Sequence, residues 1–229
     1  MCGVVVRQRC SACSKLRAYV ADEEEWHLRR CGVVAPENLM RIHVIGGPGS
    51  GKTTLAREIG AYLGIEVHEL DQIAFTGPNY AERPLPERMA DIHLIAHRPA
   101  WITEGLFLWT DELLAHADII VWLDHVGWRR GIWRITRRFI SSALGEAKNR
   151  RGLEKFARFR DYTRHLKQLI QVFFSSRAYY ASHPSRSTAQ AESRRSTAAY
   201  LISYKDKVIH CYNDEAVEAF LDYVHLCQR

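Results

Sequence analysis

The sequence lacks long hydrophobic runs. Of its 229 residues 47% are hydrophobic, yet no stretch reaches the roughly 18 consecutive apolar residues that a membrane-crossing helix needs. The apolar run Val4–Val6 near the start is also much shorter than the core of a secretory signal. We therefore expect a cytoplasmic protein without a membrane segment, in which the six cysteines are thiols or metal ligands rather than disulfides.

Acidic residues are scarce in one part of the chain. Between Arg129 and Arg160 there are eleven Lys and Arg residues against two acids, Glu146 and Glu154. This segment therefore carries more positive charge than the whole chain, whose net charge is +6. Basic residues gathered in one segment indicate a local anion site rather than a generally basic protein.

A glycine-rich stretch fits the pattern of a phosphate-binding loop, G-x-x-x-x-G-K-[ST]. It follows an apolar strand at 42–45 and precedes a helical pattern that ends at Gly64. Glycines let bare N–H groups approach the phosphates, Lys52 adds a point charge, and the Thr53 hydroxyl is a candidate Mg²⁺ ligand. The residues predicted to bind the nucleotide are Gly46, Gly47, Pro48, Gly49, Ser50, Gly51, Lys52, Thr53 and Thr54.

Three carboxylates follow predicted strands. Asp71 ends the alternating stretch 65–70, Glu104 follows Trp101–Thr103, and Asp124 follows the apolar run 119–123. Because ligands bind at the carboxyl ends of parallel strands, each is a candidate site residue. Asp71 and Glu104 are predicted to orient the acceptor or a metal-bound water, and either Glu104 or Asp124 could hold Mg²⁺ with Thr53.

The basic segment predicts a helix from Trp128 to Leu144 with an arginine-bearing face, followed by a mobile flap at 145–155. Arginines one turn apart can straddle a polyphosphate. We therefore predict a lid at about 129–155, in which Arg134 and Arg138 act on the transferring group and Arg137 binds the nucleotide. The alternative is a solvated basic face.

The first 39 residues have a different character. Cys10, Cys13, His27 and Cys31 approach the spacing of a small zinc finger. However, acidic residues stand where the finger's helix would begin, so we favour an extension without a function of its own, with Met40 as an alternative start. Residues 40–229 are then one domain, and the stretch rich in Ser, Arg and Ala at about 182–196 is a flexible insert.

Taken together, these motifs resemble those of the adenylate-kinase-like P-loop kinases, and within them the DNA topology modulation proteins. The matching parts are the loop, Leu70-Asp71, Trp101–Gly105, Leu123-Asp124 and the arginine helix. The resemblance implies a three-layer α/β/α P-loop NTPase fold with a five-stranded parallel sheet and a helical arginine-rich lid. It also implies ATP and Mg²⁺ as cofactors. Glu104 stands where that family usually has Asp.

The function that we predict from the sequence is ATP-dependent phosphoryl transfer to an unidentified small acceptor, by a monomer or homodimer. A nucleotide-binding regulatory module that acts on nucleic acid is a less favoured alternative, because no recognised nucleic-acid motif accompanies the basic helix. A third alternative is an NTPase that uses water as the acceptor. The acceptor and the choice between ATP and GTP stay open.

Overall fold

The structure of the protein is a computed structural model. The structure describes residues 15–19, 40–76, 81–149, 170, 173–174, 176–181 and 193–226. The possible zinc ligands Cys10, Cys13, His27 and Cys31, the second half of the flap and most of the insert lie outside these residues.

Five parallel strands form the central sheet, and two short antiparallel strands form a separate ribbon. In chain order the strands are β1 (Arg41–Gly46), β2 (Val67–Glu69), β3 (Phe75–Thr76), β4 (Ala81–Glu82), β5 (Trp101–Glu104), β6 (Ile119–Leu123) and β7 (Val208–Cys211). The order in the sheet is β2-β5-β1-β6-β7, and β3 pairs with β4. Strand β1 is therefore central, so that the loop after it lies between the ends of β5 and β6.

The helices connect these strands and cover both faces of the sheet. They are α1 (Lys52–Leu63), α2 (Leu70–Ala74), α3 (Leu85–Ala96), α4 (Asp111–His116), α5 (Trp128–Asn149), α6 (Arg194–Leu201) and α7 (Asp214–Leu226). Two 3₁₀ turns, Arg17–Tyr19 and Ile202–Tyr204, are also present.

Two buried clusters give the fold its three layers, because successive strand residues point to opposite faces. One cluster joins Val44 and Val121 to α1 and α7, and the other joins Ile45 and Ile120 to α3, α4 and α6. All five residues of β6 are buried, as expected for a strand covered on both faces. The predicted α/β/α fold with a five-stranded parallel sheet is confirmed.

Local residue types define two helix ends, of which the one at Gly64 was predicted. Gly64 ends α1 in the left-handed region, with φ of 67°, which glycine adopts without strain. The Asn213 side chain accepts a hydrogen bond from the Ala216 N–H at 2.8 Å and so caps α7.

Three predicted boundaries were wrong. Strand β2 ends at Glu69, and Leu70 and Ala74 are both buried on one face of α2, which places Asp71 in a helical turn rather than at a strand end. Helix α5 continues to Asn149, because good helix formers follow Gly145. The insert cannot extend to residue 196, because Ser193 caps α6 by reciprocal hydrogen bonds with Ser196.

Among the helices that the structure describes, none combines the length and the apolar character needed to cross a bilayer.

Candidate functional site

The loop between β1 and α1 has the backbone of an anion cradle. Gly49 and Gly51 have φ of 76° and 98°, values that side-chain-bearing residues adopt only with strain. The Ser50 N–H donates to the Gly47 carbonyl at 3.1 Å, which closes the turn. Lys52 is the first residue of α1, and the first turn of this helix contains no acidic residue. The partial positive charge at the helix N-terminus is therefore left to an anion.

Glu104 connects β5 to this loop. It lies beside Val44 of β1 in the sheet register and is 3% exposed. The Thr53 hydroxyl donates to Glu104 Oε1 at 2.8 Å. The other oxygen, Oε2, is buried and has no hydrogen-bond partner among the described residues. This carboxylate therefore has one oxygen anchored and one available.

The electrostatic surroundings of Glu104 are mixed. Burial raises the pKa of its carboxyl, while Lys52 and the Thr53 hydroxyl oppose this rise by favouring the ionised form. The charges of Asp71 and Glu69 raise the same pKa further. Overall, the pKa of Glu104 lies above its ordinary value, which means that the protein destabilises the ionised carboxylate. A nearby cation would stabilise that form.

The oxygen ligands around Thr53 fit Mg²⁺. The proton of the Thr53 hydroxyl is engaged with Glu104, so that the lone pairs of the hydroxyl oxygen remain free for a cation. Glu104 Oε2 is a second oxygen available to a cation, since no described residue forms a hydrogen bond with it. A set of oxygen atoms without nitrogen or sulfur suits Mg²⁺. Thr53 and Glu104 are the residues best suited to hold it, directly or through water.

The structure pairs Asp124 with other residues. Its Oδ2 accepts from Arg194 Nε at 2.8 Å and Nη2 at 2.7 Å, and it lies 3.1 Å from His210 Nε2. The Asp124 side chain is 2% exposed. A buried carboxylate already neutralised by an arginine is a poor metal ligand, which favours Glu104 over Asp124. Sequence reasoning missed Arg194, because it is 70 residues away along the chain.

Asp71 lies at the rim of the site. It is exposed in the first turn of α2, and its charge acts on the buried carboxyl of Glu104. Asp71 is therefore a surface carboxylate whose charge reaches Glu104.

The three predicted arginines lie differently on α5. Arg134 Nη1 is 3.5 Å from the Ser50 carbonyl oxygen, a long contact that brings its charge to the loop. The Arg137 guanidinium lies over the Trp133 ring, 5.4 Å from its centroid, and Arg138 is exposed. The structure therefore brings Arg134 to the site and leaves Arg137 and Arg138 on the surface of the helix.

Two further residues hold the loop from outside. The backbones of Gly49 and Gly131 are in such close contact that a Cβ at Gly49 would overlap the Gly131 carbonyl, and one at Gly131 would lie 2.9 Å from the Pro48 carbonyl oxygen. The Tyr180 hydroxyl donates to the same oxygen at 3.2 Å. Burial raises the pKa of Tyr180, which keeps this donor protonated.

Sequence reasoning assigned neither of these residues to the site. A glycine early in an amphipathic helix weakens the helix and can indicate a close backbone approach, so that Gly131 did carry a signal. Tyr180 carried none, because no short-range pattern indicates a contact with a loop 132 residues away. Its neighbour Tyr179 is 1% exposed and packs in the core.

No family model matches the chain, and no curated protein matches it. The chain is similar to the solved structure of a gluconokinase from Sinorhizobium meliloti 1021, with 13% identity over 82% of this chain and 95% of that chain and a TM-score of 0.39. It is also similar to a shikimate kinase from Acinetobacter baumannii in complex with shikimate, with 19% identity over 75% of this chain and 96% of that chain and a TM-score of 0.35. A third similar structure is a sugar kinase from Janibacter sp. HTCC2649, with 14% identity over 82% of this chain and 96% of that chain and a TM-score of 0.35. Identities and TM-scores of this size carry no argument about the reaction. The P-loop fold rests instead on the strand order and on the geometry of the loop.

Proposed function

We propose that this chain is a P-loop phosphotransferase, which transfers the terminal phosphoryl group of ATP, with Mg²⁺, to a hydroxyl or phosphate group of a small acceptor. The observation that carries the proposal is the Thr53–Glu104 hydrogen bond at 2.8 Å beside Lys52. It leaves a buried carboxylate oxygen, which has no partner in the part of the chain that the structure describes, at the edge of the proposed phosphate-binding loop.

The loop and Lys52 bind the nucleotide in this proposal. The N–H groups of the first turn of α1 and of the loop donate to the phosphates, and Lys52 places a positive charge beside the outer ones. Mg²⁺, when bound with ATP, supplies further neutralisation of the phosphate oxygens. A Cβ at Gly47 would meet the Tyr179 ring and one at Gly49 the Gly131 backbone, so that these glycines let neighbouring segments pack closely against the loop.

Glu104 has two oxygens with separate tasks. Oε1 fixes the Thr53 hydroxyl, while Oε2 is free to orient a metal-bound water or to take the proton of an acceptor hydroxyl. A raised pKa improves a carboxylate as a proton acceptor near neutral pH. Asp71, exposed at the rim, is assigned to orient the acceptor.

The arginines of α5 supply charge above the loop. Arg134 already contacts the loop through Ser50 O and is assigned to the transferring group. Arg138, one turn further along, is assigned to the transferring group as well, and Arg137 to the nucleotide, as the lid moves. Because a lid excludes water, their charges act on the phosphoryl group more strongly than they would in solvent.

An ADP-release assay with an acceptor panel tests the proposal. Purified protein with Mg·ATP is assayed alone and with nucleotides, sugars or shikimate-like acids. Acceptor-dependent release supports the kinase, whereas release that no acceptor increases would support the plain NTPase instead. Duplex or single-strand binding that weakens steeply with salt, without ADP release, would support the nucleic-acid module.

Variants connect this activity to the site. Lys52→Ala should abolish turnover and leave the fold intact. Arg134→Ala should lower kcat on the order of 10³-fold, with a smaller change in ATP affinity. The matched control is Arg130→Ala on the same helix, whose ion pair with Asp214 at 3.5 Å is exposed and contributes little. Wild-type turnover in Lys52→Ala, or equal kcat values for the two arginine variants, would contradict the assignments.

A further inference from the structure

A second group of metal-binding side chains lies away from the loop, where α3 packs against α4. His93 and His97 stand four residues apart at the end of α3, and Glu112 and His116 stand four residues apart on α4. Residues four apart lie on the same helix face. Each helix therefore presents two potential ligands to the other.

Three of the four side chains form one group, and the fourth, His116, lies against His97. His93 Nδ1 is 2.7 Å from Glu112 Oε1, and His97 Nδ1 is 3.8 Å from the same oxygen. One ligand atom from each of these three residues lies within 4.8 Å of the other two. The rings of His97 and His116 are 4.8 Å apart between centroids, so that a further imidazole lies next to His97.

Backbone hydrogen bonds prepare two of the rings for a metal. His97 Nδ1 lies 2.9 Å from the His93 carbonyl oxygen, and His116 Nδ1 lies 2.9 Å from the Glu112 carbonyl oxygen. A carbonyl only accepts, so that Nδ1 must carry the proton in both rings. Metal-bound histidines commonly have this arrangement. In the neutral imidazole the lone pair is then on Nε2, so that the His97 ring, whose Nδ1 lies 3.8 Å from Glu112 Oε1, must turn to present Nε2 to a shared metal.

We propose that His93, His97 and Glu112 form a binding site for a divalent transition metal of the Zn²⁺ type, with His116 or water as the fourth ligand. Imidazole nitrogens with one carboxylate oxygen are a donor set that suits Zn²⁺. Bonds of about 2.0–2.1 Å place tetrahedral ligands roughly 3.3 Å apart, so that the group must contract from its present spread. The side chains of His93 and His97 are 61% and 51% exposed and have room to rotate.

The position of this cluster separates it from phosphoryl transfer. The end of α3 leads into Trp101, the first residue of β5, and the end of α4 leads into β6. The cluster therefore lies at the edge where the strands begin, opposite the edge where Gly46 and Glu104 lie. A bound metal would join α3 to α4, the helices that precede and follow β5 in the chain. It would therefore stabilise the segment α3-β5-α4, which carries Glu104, without touching substrate.

Zinc titration tests the site in the full chain. The background variant is Cys10→Ser/Cys13→Ser, which removes possible thiolate ligands near the start of the chain. After chelator treatment, ZnCl₂ alone is added, and both the dissociation constant and the thermal midpoint are measured. Co²⁺ is titrated in parallel, because Co²⁺ bound by only four ligands gives visible absorption bands that report on the site.

We expect the background variant to bind one Zn²⁺ per chain and to melt at a higher temperature with it. His93→Asn/His97→Asn should weaken binding on the order of 100-fold or more, and Glu112→Gln by a smaller factor. The matched control His225→Asn, at an exposed histidine of α7, should bind like the background. Affinity should fall as the pH is lowered, because protons compete with the metal for the imidazole nitrogens.

Two results would overturn the proposal. One is a background variant that neither binds Zn²⁺ nor gains thermal stability from it, in which case the cluster is a surface His–Glu hydrogen-bond group only. The other is equal Zn²⁺ affinity in the background variant and in His93→Asn/His97→Asn, which would place the metal elsewhere.

Discussion

Gly131 offers a substitution in which two physical effects oppose each other. It lies within α5, where alanine is a better helix former than glycine by about 1 kcal/mol. Helix propensity alone therefore predicts that Gly131→Ala stabilises the protein. However, the added Cβ would lie 2.9 Å from the Pro48 carbonyl oxygen, and this oxygen belongs to the phosphate-binding loop.

The steric term should be the larger of the two. A carbon–oxygen separation of 2.9 Å is several tenths of an ångström shorter than an ordinary contact, and the neighbouring atom is backbone, which cannot rotate away. Overpacking of this kind costs about 1–3 kcal/mol. The loop can relieve the overlap by moving away from α5, which would also lengthen the hydrogen bond from Tyr180 to Pro48, now 3.2 Å.

Because the loop is assigned to the phosphates, we expect Gly131→Ala to weaken Mg·ATP binding by about 10-fold, the equivalent of 1.4 kcal/mol. Isothermal titration with Mg·ATP measures this, and thermal unfolding measures stability. The matched control is Gly127→Ala, where an added Cβ meets nothing within 4 Å, and its affinity should stay at the wild-type value. A Gly131→Ala protein with unchanged affinity and a higher melting temperature would refute the packing argument.

Two further predictions concern pH. Burial lowers the pKa of His43 to about 4, so that in this pH range only the unfolded chain binds the proton readily. The free energy of unfolding should therefore fall by about 3 kcal/mol between pH 6.5 and 4. This fall should be smaller in His43→Gln and should equal that of the wild type in the control His225→Gln. The pKa of Glu104 is raised, so that the folded protein loses stability as the pH rises from 4.5 through that pKa. At pH 7 we expect Glu104→Gln to be at least as stable as the wild type, measured by urea unfolding, and yet inactive. The His43 assignment would be contradicted if stability fell equally with pH in the wild type and in His43→Gln. The Glu104 assignment would be contradicted if Glu104→Gln were less stable than the wild type.

The parts of the fold that were predicted correctly depend on short-range chemistry. The loop and the glycine after α1 act on neighbouring backbone groups, and their residue types indicate that action directly. The buried strand β6 follows from its unbroken apolar run. Asp71 shows the limit, because the short stretch 65–70 fits strand alternation while the burial of Leu70 and Ala74 decides for a helical turn.

The parts that were missed depend on contacts between distant segments. Gly131 and Tyr180 meet the loop from more than 80 residues away, and Arg194 neutralises Asp124 across 70 residues. Nothing local to Asp124 indicates that partner. The histidine spacing on α3 is visible in the sequence, but only the packing of α3 on α4 brings Glu112 to it.

The electrostatics of Glu104 give a reason why the proposed substrate would be a magnesium nucleotide rather than a free one. Among the causes that act on its pKa, Lys52 is the largest that favours the ionised form. On the proposed function, phosphates arriving at the loop engage Lys52, and their negative charge then lies beside a buried carboxylate that has lost part of its compensation. Without a cation, two like charges in a poorly solvated site repel each other, and Glu104 would take up a proton. A cation bound by Thr53 and Glu104 removes that repulsion, so that the same side chain that destabilises the empty site makes nucleotide binding depend on the metal.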